Sequence, residues 1–196
     1  MHIYIIIDHP KAKSFSYAVL DSFSNGLRQA GHTIDLVDLN RDGFNPVLTE
    51  EELTVYGQGI SLDPTVKDYQ QRLLKADHLA LIFPIWWYGM PARLKGWLDK
   101  VLLPGFAVTT DHQPLLTHIS GATVLTTSAD TDQELRETYH SPIEWSVCKG
   151  TLKFCGISPA KWLNFGEAGI ASRSDHEAWL EKVYQYGLDI DAQEKV

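Results

Sequence analysis

HLALIFPIWWYGMPARLKGWLDK, residues 78–100, is the stretch that decides the fold. Its first part, ending at Phe83-Pro84, is a continuous apolar run of the length expected for a strand buried on both faces. PARLKGWLDKVLL then reads as an amphipathic helix. Between them stand Trp86, Trp87 and Tyr88, three large aromatics in a strand-to-helix loop, where contact with water is costly. A buried strand followed directly by a helix is half of a βαβ unit, and the other halves lie on either side.

Upstream, HIYIIID (2–8) is a second doubly buried strand. SFSYAVLDSFSNGLRQAG follows as a helix with Phe15, Ala18, Val19, Phe23, Leu27 and Ala30 on one stripe, Ser14 as N-cap and Gly31 as stop. HTIDLVDL (32–39) reads as a strand. Residues 40–63 are punctuated by Pro, Gly and acids and are too long for an idle connection. Glu50-Glu51-Glu52 there suggests a solvated helix start capped by Thr49. Asp63-Pro64 opens a helix with Val66, Tyr69, Leu73, Leu74 and Ala76 as its apolar stripe.

Downstream, ISGATVLTTS (119–128) is a strand. Ile143, Val147, Leu152 and Phe154 mark a helix over 142–156, interrupted at Gly150. PAKWLNFG is a fifth strand, DHEAWLEKVYQYGLDI a closing helix, and DAQEKV a polar tail. Strands alternating with helices predict an α/β chain of one domain, residues 1–196, with an excursion at 40–63. Its expected form is a flavodoxin-like three-layer sandwich around a five-stranded parallel sheet in the order 2-1-3-4-5. Ligands bind such sheets outside the strand C-termini, at the switch between strands 1 and 3. The strand ends that meet there are DHPKAKSFS and FPIWWYG.

Composition narrows the chemistry. With 17 Lys+Arg against 25 Asp+Glu, the 196 residues carry a formal charge of −8, which disfavours a nucleic-acid partner. Cys148 and Cys155 stand too far apart on one helix to bridge, and no CxxC occurs, so both are expected as buried, inert thiols. None of the eight histidines falls in HxH or HExxH, so no metal site is expected. With no signal-like segment and no run long enough to insert in a membrane, the expectation is a soluble, cytoplasmic protein.

The first strand-end loop has neither GxxxxGK[ST] nor GxGxxG. It offers His9, Lys11, Lys13, Ser14 and Ser16 at a helix N-terminus, either a phosphate site or an ordinary serine-capped helix. The second loop weighs toward a ligand. Pro84, Ile85, Trp86, Trp87, Tyr88 and Gly89 provide aromatic faces and backbone amides, which a flat isoalloxazine with one polar edge requires. The competing reading is an aromatic cluster serving the core or a subunit interface. Thr126-Thr127-Ser128-Ala129 could approach a ligand edge or simply end a strand.

DHPKAKSFS, DLNRDGFNP, FPIWWYGMPARLKGWLDKVLLPGFAV, LTTS and KGTLKFCGI together resemble the NAD(P)H:quinone oxidoreductases of the DT-diaphorase type, in the flavodoxin-2 group. The resemblance implies a homodimer with a shared site, a non-covalent flavin (FAD, with FMN as the alternative) and NAD(P)H as electron donor. By position it implies His9, Ser14, Phe15 and Ser16 at the flavin phosphates and ribityl chain. It implies Pro84, Ile85, Trp86, Trp87 and Tyr88 at the ring, and Thr126, Thr127 and Ser128 along its polar edge. Asp99 and Lys100 would meet the adenine end from the partner subunit, and Tyr139 and His140 would stabilise charge during hydride transfer. The implied activity is two-electron, ping-pong reduction of quinones or similar electron-poor acceptors. Some relatives instead regulate potassium-efflux transporters, and an apolar patch on 40–63 would mark that alternative.

Overall fold

The structure, a computed structural model, describes residues 1–193; the last three residues of the expected polar tail lie outside the described residues. Five parallel strands, β1 (His2–Ile7), β2 (Thr33–Asp38), β3 (His78–Pro84), β4 (Gly121–Thr127) and β5 (Ala160–Phe165), form one sheet in the order β2-β1-β3-β4-β5. The expected order and flavodoxin-like architecture are therefore observed. The central strands are buried on both sides because helices cover both faces. Ile3, Ile5 and Ile7 pack with Val19, Phe23 and Leu27 of α1 (Phe15–Gln29) and Val183 of α6 (Arg173–Leu188). Tyr4 and Ile6 point the other way, toward Val66 and Leu73 of α3 (Pro64–Leu73) and Leu94 and Trp97 of α4 (Ala92–Val101). The period-2 alternation of a strand thus feeds two cores.

The two cover layers are set by different contacts. α1 and α6 approach through glycines: a Cβ at Gly26 would collide with the Tyr184 carbonyl, and one at Gly187 would lie 2.7 Å from the Phe23 carbonyl. On the opposite face, α3 sends Arg72 over the outer strand β2, where its guanidinium meets the Asp35 carboxylate and donates to the Leu36 carbonyl at 3.0 Å. That contact covers a sheet edge that could otherwise pair with another strand. Asp63 caps α3 by accepting from Thr65 N–H at 2.9 Å, with Pro64 at the first helical position.

Three expectations about helices change. Leu74 is not on the α3 stripe; it is the C-cap and exposed, because Leu73 takes the last inward position. The 142–156 helix is shorter and wider, a π-helix over Glu144–Leu152. Its i→i+5 winding, as in Lys153 N–H to Cys148 O, breaks the 3.6 spacing, so Val147, Cys148 and Leu152 turn inward and Phe154 turns out. Sequence reading also passes over α5 (Asp132–Glu137), whose only buried residue is Leu135. One buried residue gives no periodicity, although Thr131 and Glu134 form a reciprocal capping box that is legible in sequence. Both cysteines are buried and free, and burial pushes their thiols up, to about 12 for Cys148 and about 11 for Cys155.

The 40–63 excursion is docked by close contacts. It carries α2 (Glu50–Thr54), with Thr49 capping it as expected. Gly59 and Gly105, both at positive φ, pass so closely that a Cβ on either would meet the other's backbone at 2.7 Å. A Cβ at Gly96 of α4 would collide with Pro46. Only glycine permits either approach.

Candidate active site at the sheet's C-terminal edge

The loops after β1, β3 and β4 meet at one edge of the sheet. The β3–α4 loop is a two-residue turn. Trp86 and Gly89 exchange both N–H···O bonds at 3.0 Å, while Trp87 (φ +51°) and Tyr88 (φ +59°) occupy the two central positions. Such a turn requires positive φ at both positions and normally takes Asn-Gly. Two bulky residues there cost on the order of 1–3 kcal/mol each. That cost is not offset by packing: Trp87 is 96% exposed, and Trp86 and Tyr88 are exposed as well. Ile85 behind them is buried and donates to the Thr127 carbonyl at 2.7 Å, which fixes the turn to β4. The aromatics therefore do not serve this chain's core.

β1 delivers Asp8 and His9 beside the turn. Asp8 is buried, accepts from Leu94 N–H at 3.0 Å and pairs with Arg93 at 3.6 Å. Burial raises its carboxyl, against the Leu94 hydrogen bond and the Arg93 charge that lower it. Pro91, the N-cap of α4, has no side-chain donor or acceptor, so Asp8 performs the capping across the sheet. Sequence reading did not single it out, since the need arises only when β1 and α4 are adjacent. His9 accepts from Lys11 N–H at Nδ1 (2.9 Å), and its ring centroid lies 6.1 Å from that of Trp86. Burial lowers its pKa, with Lys11's charge acting in the same direction, so the ring favours the neutral form. With Nδ1 accepting, Nε2 carries the hydrogen and can donate.

Ser14 starts α1 with extended backbone, but its side chain makes no capping bond, and its Oγ is buried without a partner. The first N–H groups of a helix are likewise free of intrahelical partners. The Ser14 N–H is taken by the Lys11 carbonyl and the Tyr17 N–H by that of Ser14, but a hydroxyl left uncommitted at a helix N-terminus fits a phosphate oxygen. Ser16 is different: it is buried, with its Oγ 3.3 Å from Thr127 Oγ1, and ties the first loop to the end of β4.

Other expected residues have their side chains elsewhere. Phe15 stacks on His176 at 4.3 Å and packs near Phe165 and Trp179, so its ring belongs to the α6 side. Thr126 is buried inside the sheet layer: its Oγ1 accepts from Trp162 Nε1 at 2.7 Å and donates to Asn164 Oδ1 at 2.8 Å. Asn164 Nδ2 donates onward to Ser128 Oγ (2.9 Å), which donates to the Asp130 carbonyl (2.7 Å). This directed chain stiffens the loop after β4 and consumes the side chains expected along a ligand edge. Trp162 and Asn164 had no sequence signal, because both sit on a different strand.

Lys100 requires the largest correction. Its side chain is 3% exposed and clasped by Glu52 (3.0 Å), Asp63 (3.0 Å) and the Asn45 carbonyl (3.3 Å). Burial alone would lower its pKa, but the two carboxylates more than offset this and hold it raised. The ammonium is used to dock the excursion and is not presented to a ligand. Glu52, expected as part of a solvated acidic face, is half-buried in the same clasp. Asp99 remains at the surface, paired with Lys95 at 2.6 Å, and lines a cavity of about 310 Å³ with Tyr56, Leu98 and Phe154.

Tyr139 is brought to the site, with its ring centroid 4.1 Å from that of Tyr88. His140 and Ser141 follow at φ +54° and +55°, and His140 is exposed beside the pair.

A five-stranded parallel sheet with an aromatic turn and an uncommitted serine at its C-terminal edge is the form of a flavodoxin-type domain. The chain belongs to the Flavodoxin_2 family, of flavodoxin-like fold, whose family model matches residues 1–187. It is 29% identical to a Haemophilus influenzae protein named an uncharacterized NAD(P)H oxidoreductase, over 94% of this chain and 93% of that one. It is 28% identical to rat NAD(P)H dehydrogenase [quinone] 1 over 78% of this chain, spanning 64% of the rat protein. The structure of an NAD(P)H:quinone oxidoreductase from Methanothermobacter marburgensis superposes with a TM-score of 0.88 at 33% identity, covering 97% of each chain.

Proposed function

We propose that this chain is a flavin-dependent NAD(P)H oxidoreductase that reduces quinones or similar electron-poor acceptors by two electrons. The observation that carries the reading is the strained, exposed aromatic turn beside an α1 N-terminus whose serine hydroxyl is buried and unspent. Aromatic faces for a ring and free donors for a phosphate, on adjacent loops, match the two ends of a flavin. The relatives above, named for NAD(P)H oxidoreductase or quinone reductase activity, support the same reading.

In this proposal Ser14 Oγ, His9 Nε2–H and the first amides of α1 hold the phosphate. Trp86, Trp87 and Tyr88 wall the ring, with Ile85 fixing the turn to β4. A bound flavin supplies the hydride-accepting and hydride-donating chemistry. Tyr139 and the adjacent His140 provide hydrogen-bonding groups at the reacting edge. Donor and acceptor use the same open shelf in turn, which gives ping-pong kinetics.

A second copy of the chain closes that shelf, as a homodimer. FAD is the proposed flavin, its adenine half lying against the Asp99, Lys95 and Tyr56 cavity of the partner without help from Lys100. Val47, Leu53, Ile60 and Leu62 are exposed on the 40–63 excursion, but the relatives above are named for NAD(P)H oxidoreductase or quinone reductase activity, which favours the enzyme over a regulatory subunit.

The test is anaerobic addition of NADH or NADPH to flavin-loaded protein, followed by duroquinone. Bleaching by the nucleotide and recovery by the quinone, with parallel double-reciprocal lines, is the expected result. A protein that takes up flavin but is not reduced by either nucleotide would sink the reading.

A further inference from the structure

The pairing of two phenols at this edge is not explained by holding a flavin. Tyr88 and Tyr139 come from distant loops, yet their rings lie 4.1 Å apart at 30°. Tyr88 belongs to one pair of consecutive left-handed, non-glycine residues, Trp87-Tyr88, and Tyr139 immediately precedes another, His140-Ser141. Such conformations persist only where surrounding bonds over-determine them. The bonds are present: Trp86 and Gly89 close the first turn, while Tyr139 N–H to Glu134 O (3.1 Å) and Ser141 N–H to Leu135 O (2.8 Å) close the second. The backbone is strained twice to bring two phenols together at the surface. Tyr88 is 38% exposed and Tyr139 39%, so a ligand can reach the pair.

The chemistry of the pair is specific. Interaction with the Tyr139 hydroxyl pushes the Tyr88 phenol up to about 12, and the charges of Asp130 and Glu134 act in the same direction. The Tyr88 phenol therefore stays a neutral donor through the physiological range. When one phenol hydrogen is used within the pair, one remains to donate outward. The nearby carboxylates make the local field negative, which disfavours an anionic ligand and leaves a neutral carbonyl as the fitting acceptor.

We propose that Tyr88 is a specificity-determining residue whose phenol O–H donates to the carbonyl oxygen of a neutral quinone-class acceptor, with Tyr139 as the residue that positions it. The inference rests on the oxidoreductase reading above and assigns the selectivity of that site.

Duroquinone binding, followed by tryptophan quenching and by the infrared carbonyl stretch of the bound quinone, tests it in flavin-loaded and flavin-free protein. In the wild-type chain the stretch is expected to fall relative to duroquinone in an aprotic solvent. In Tyr88→Phe the downshift is expected to be lost and binding to weaken about three- to tenfold, the size of one hydrogen bond. In Tyr139→Phe, NMR of ¹³C-labelled tyrosine should show the Tyr88 resonance, assigned by its loss in Y88F, titrating below about 12. An identical carbonyl frequency in wild type and Y88F, or no duroquinone binding to wild type, would overturn the role of Tyr88. An unmoved Tyr88 titration in Y139F would overturn that of Tyr139. Flavin content, measured separately by absorbance, tells the two readings apart. A Tyr88-dependent shift in a chain that takes no flavin would sink the oxidoreductase reading alone. Quinone turnover untouched by Y88F would sink only this inference.

Discussion

The two ends of α4 differ in what their polar and aromatic groups are doing. At the N-terminal end, Trp87 and Tyr88 sit in left-handed backbone with exposed rings, and on the loop after β1 the Ser14 hydroxyl has no partner. At the C-terminal end, Lys100 is buried, and each of its three neighbours is an internal acceptor. Both ends carry residues that the family pattern assigns to the cofactor. The structure separates them by one criterion: a binding site leaves its groups uncommitted, while a structural clasp pairs them inside the chain.

The largest effect expected from this contrast is at Lys100. Lys100→Met strands Glu52 and Asp63 without their counter-charge. Full burial would cost about 3–5 kcal/mol, and the partial exposure of Asp63 reduces the expected loss to about 2–3 kcal/mol. Chemical denaturation should show the lower midpoint. The clasp also sets a pH dependence. Burial raises the Asp63 carboxyl, but its bonds to Lys100 and Thr65 lower it further, to a net depressed value. Its contribution is therefore present above the unfolded carboxylate pKa and lost as pH falls through the depressed folded one. Lys100, held raised, contributes fully below the ordinary lysine range and loses that contribution as pH rises through its folded value. Wild type should lose stability at both extremes more steeply than K100M in a denaturation series against pH.

Next in size is Gly96→Ala, which drives a methyl into Pro46 and should destabilise by about 1–3 kcal/mol, read as a drop in Tm. Ser14→Ala should do the reverse of an ordinary cap mutation. An N-cap serine is normally worth about 1 kcal/mol, but this one makes no capping bond. Stability should fall by no more than about 0.5 kcal/mol, while flavin affinity drops about tenfold through one lost charge-assisted bond. A full capping loss with unchanged flavin affinity would erase the distinction between the two ends. The effect of opposite sign is at Trp87. Trp87→Gly removes an exposed ring from a positive-φ position and should raise stability by about 0.5–1 kcal/mol while weakening flavin binding.

The fold was legible because β1 and β3 are continuous apolar runs and α1 carries an unbroken stripe, so burial on both faces could be read directly. The aromatic turn was legible for a related reason: three large rings between a strand end and a helix have no place in the core of a βαβ unit. What could not be read was the spending of each polar group. Lys100 finds its partners on the excursion, and Thr126 finds Trp162 and Asn164 on another strand. Asp8 caps a helix that follows it only in space. The misplaced π-helix face has a local cause, since a 3.6-residue template cannot follow i→i+5 winding.

The most direct test of the contrast is a titration of flavin-free wild type, S14A and K100M with FMN and with FAD, followed by flavin fluorescence at a temperature where all three are folded. Binding in wild type, about tenfold weaker binding in S14A, and affinity within twofold of wild type in K100M is the expected result. No flavin binding in wild type, or a loss in K100M as large as that in S14A, would contradict it.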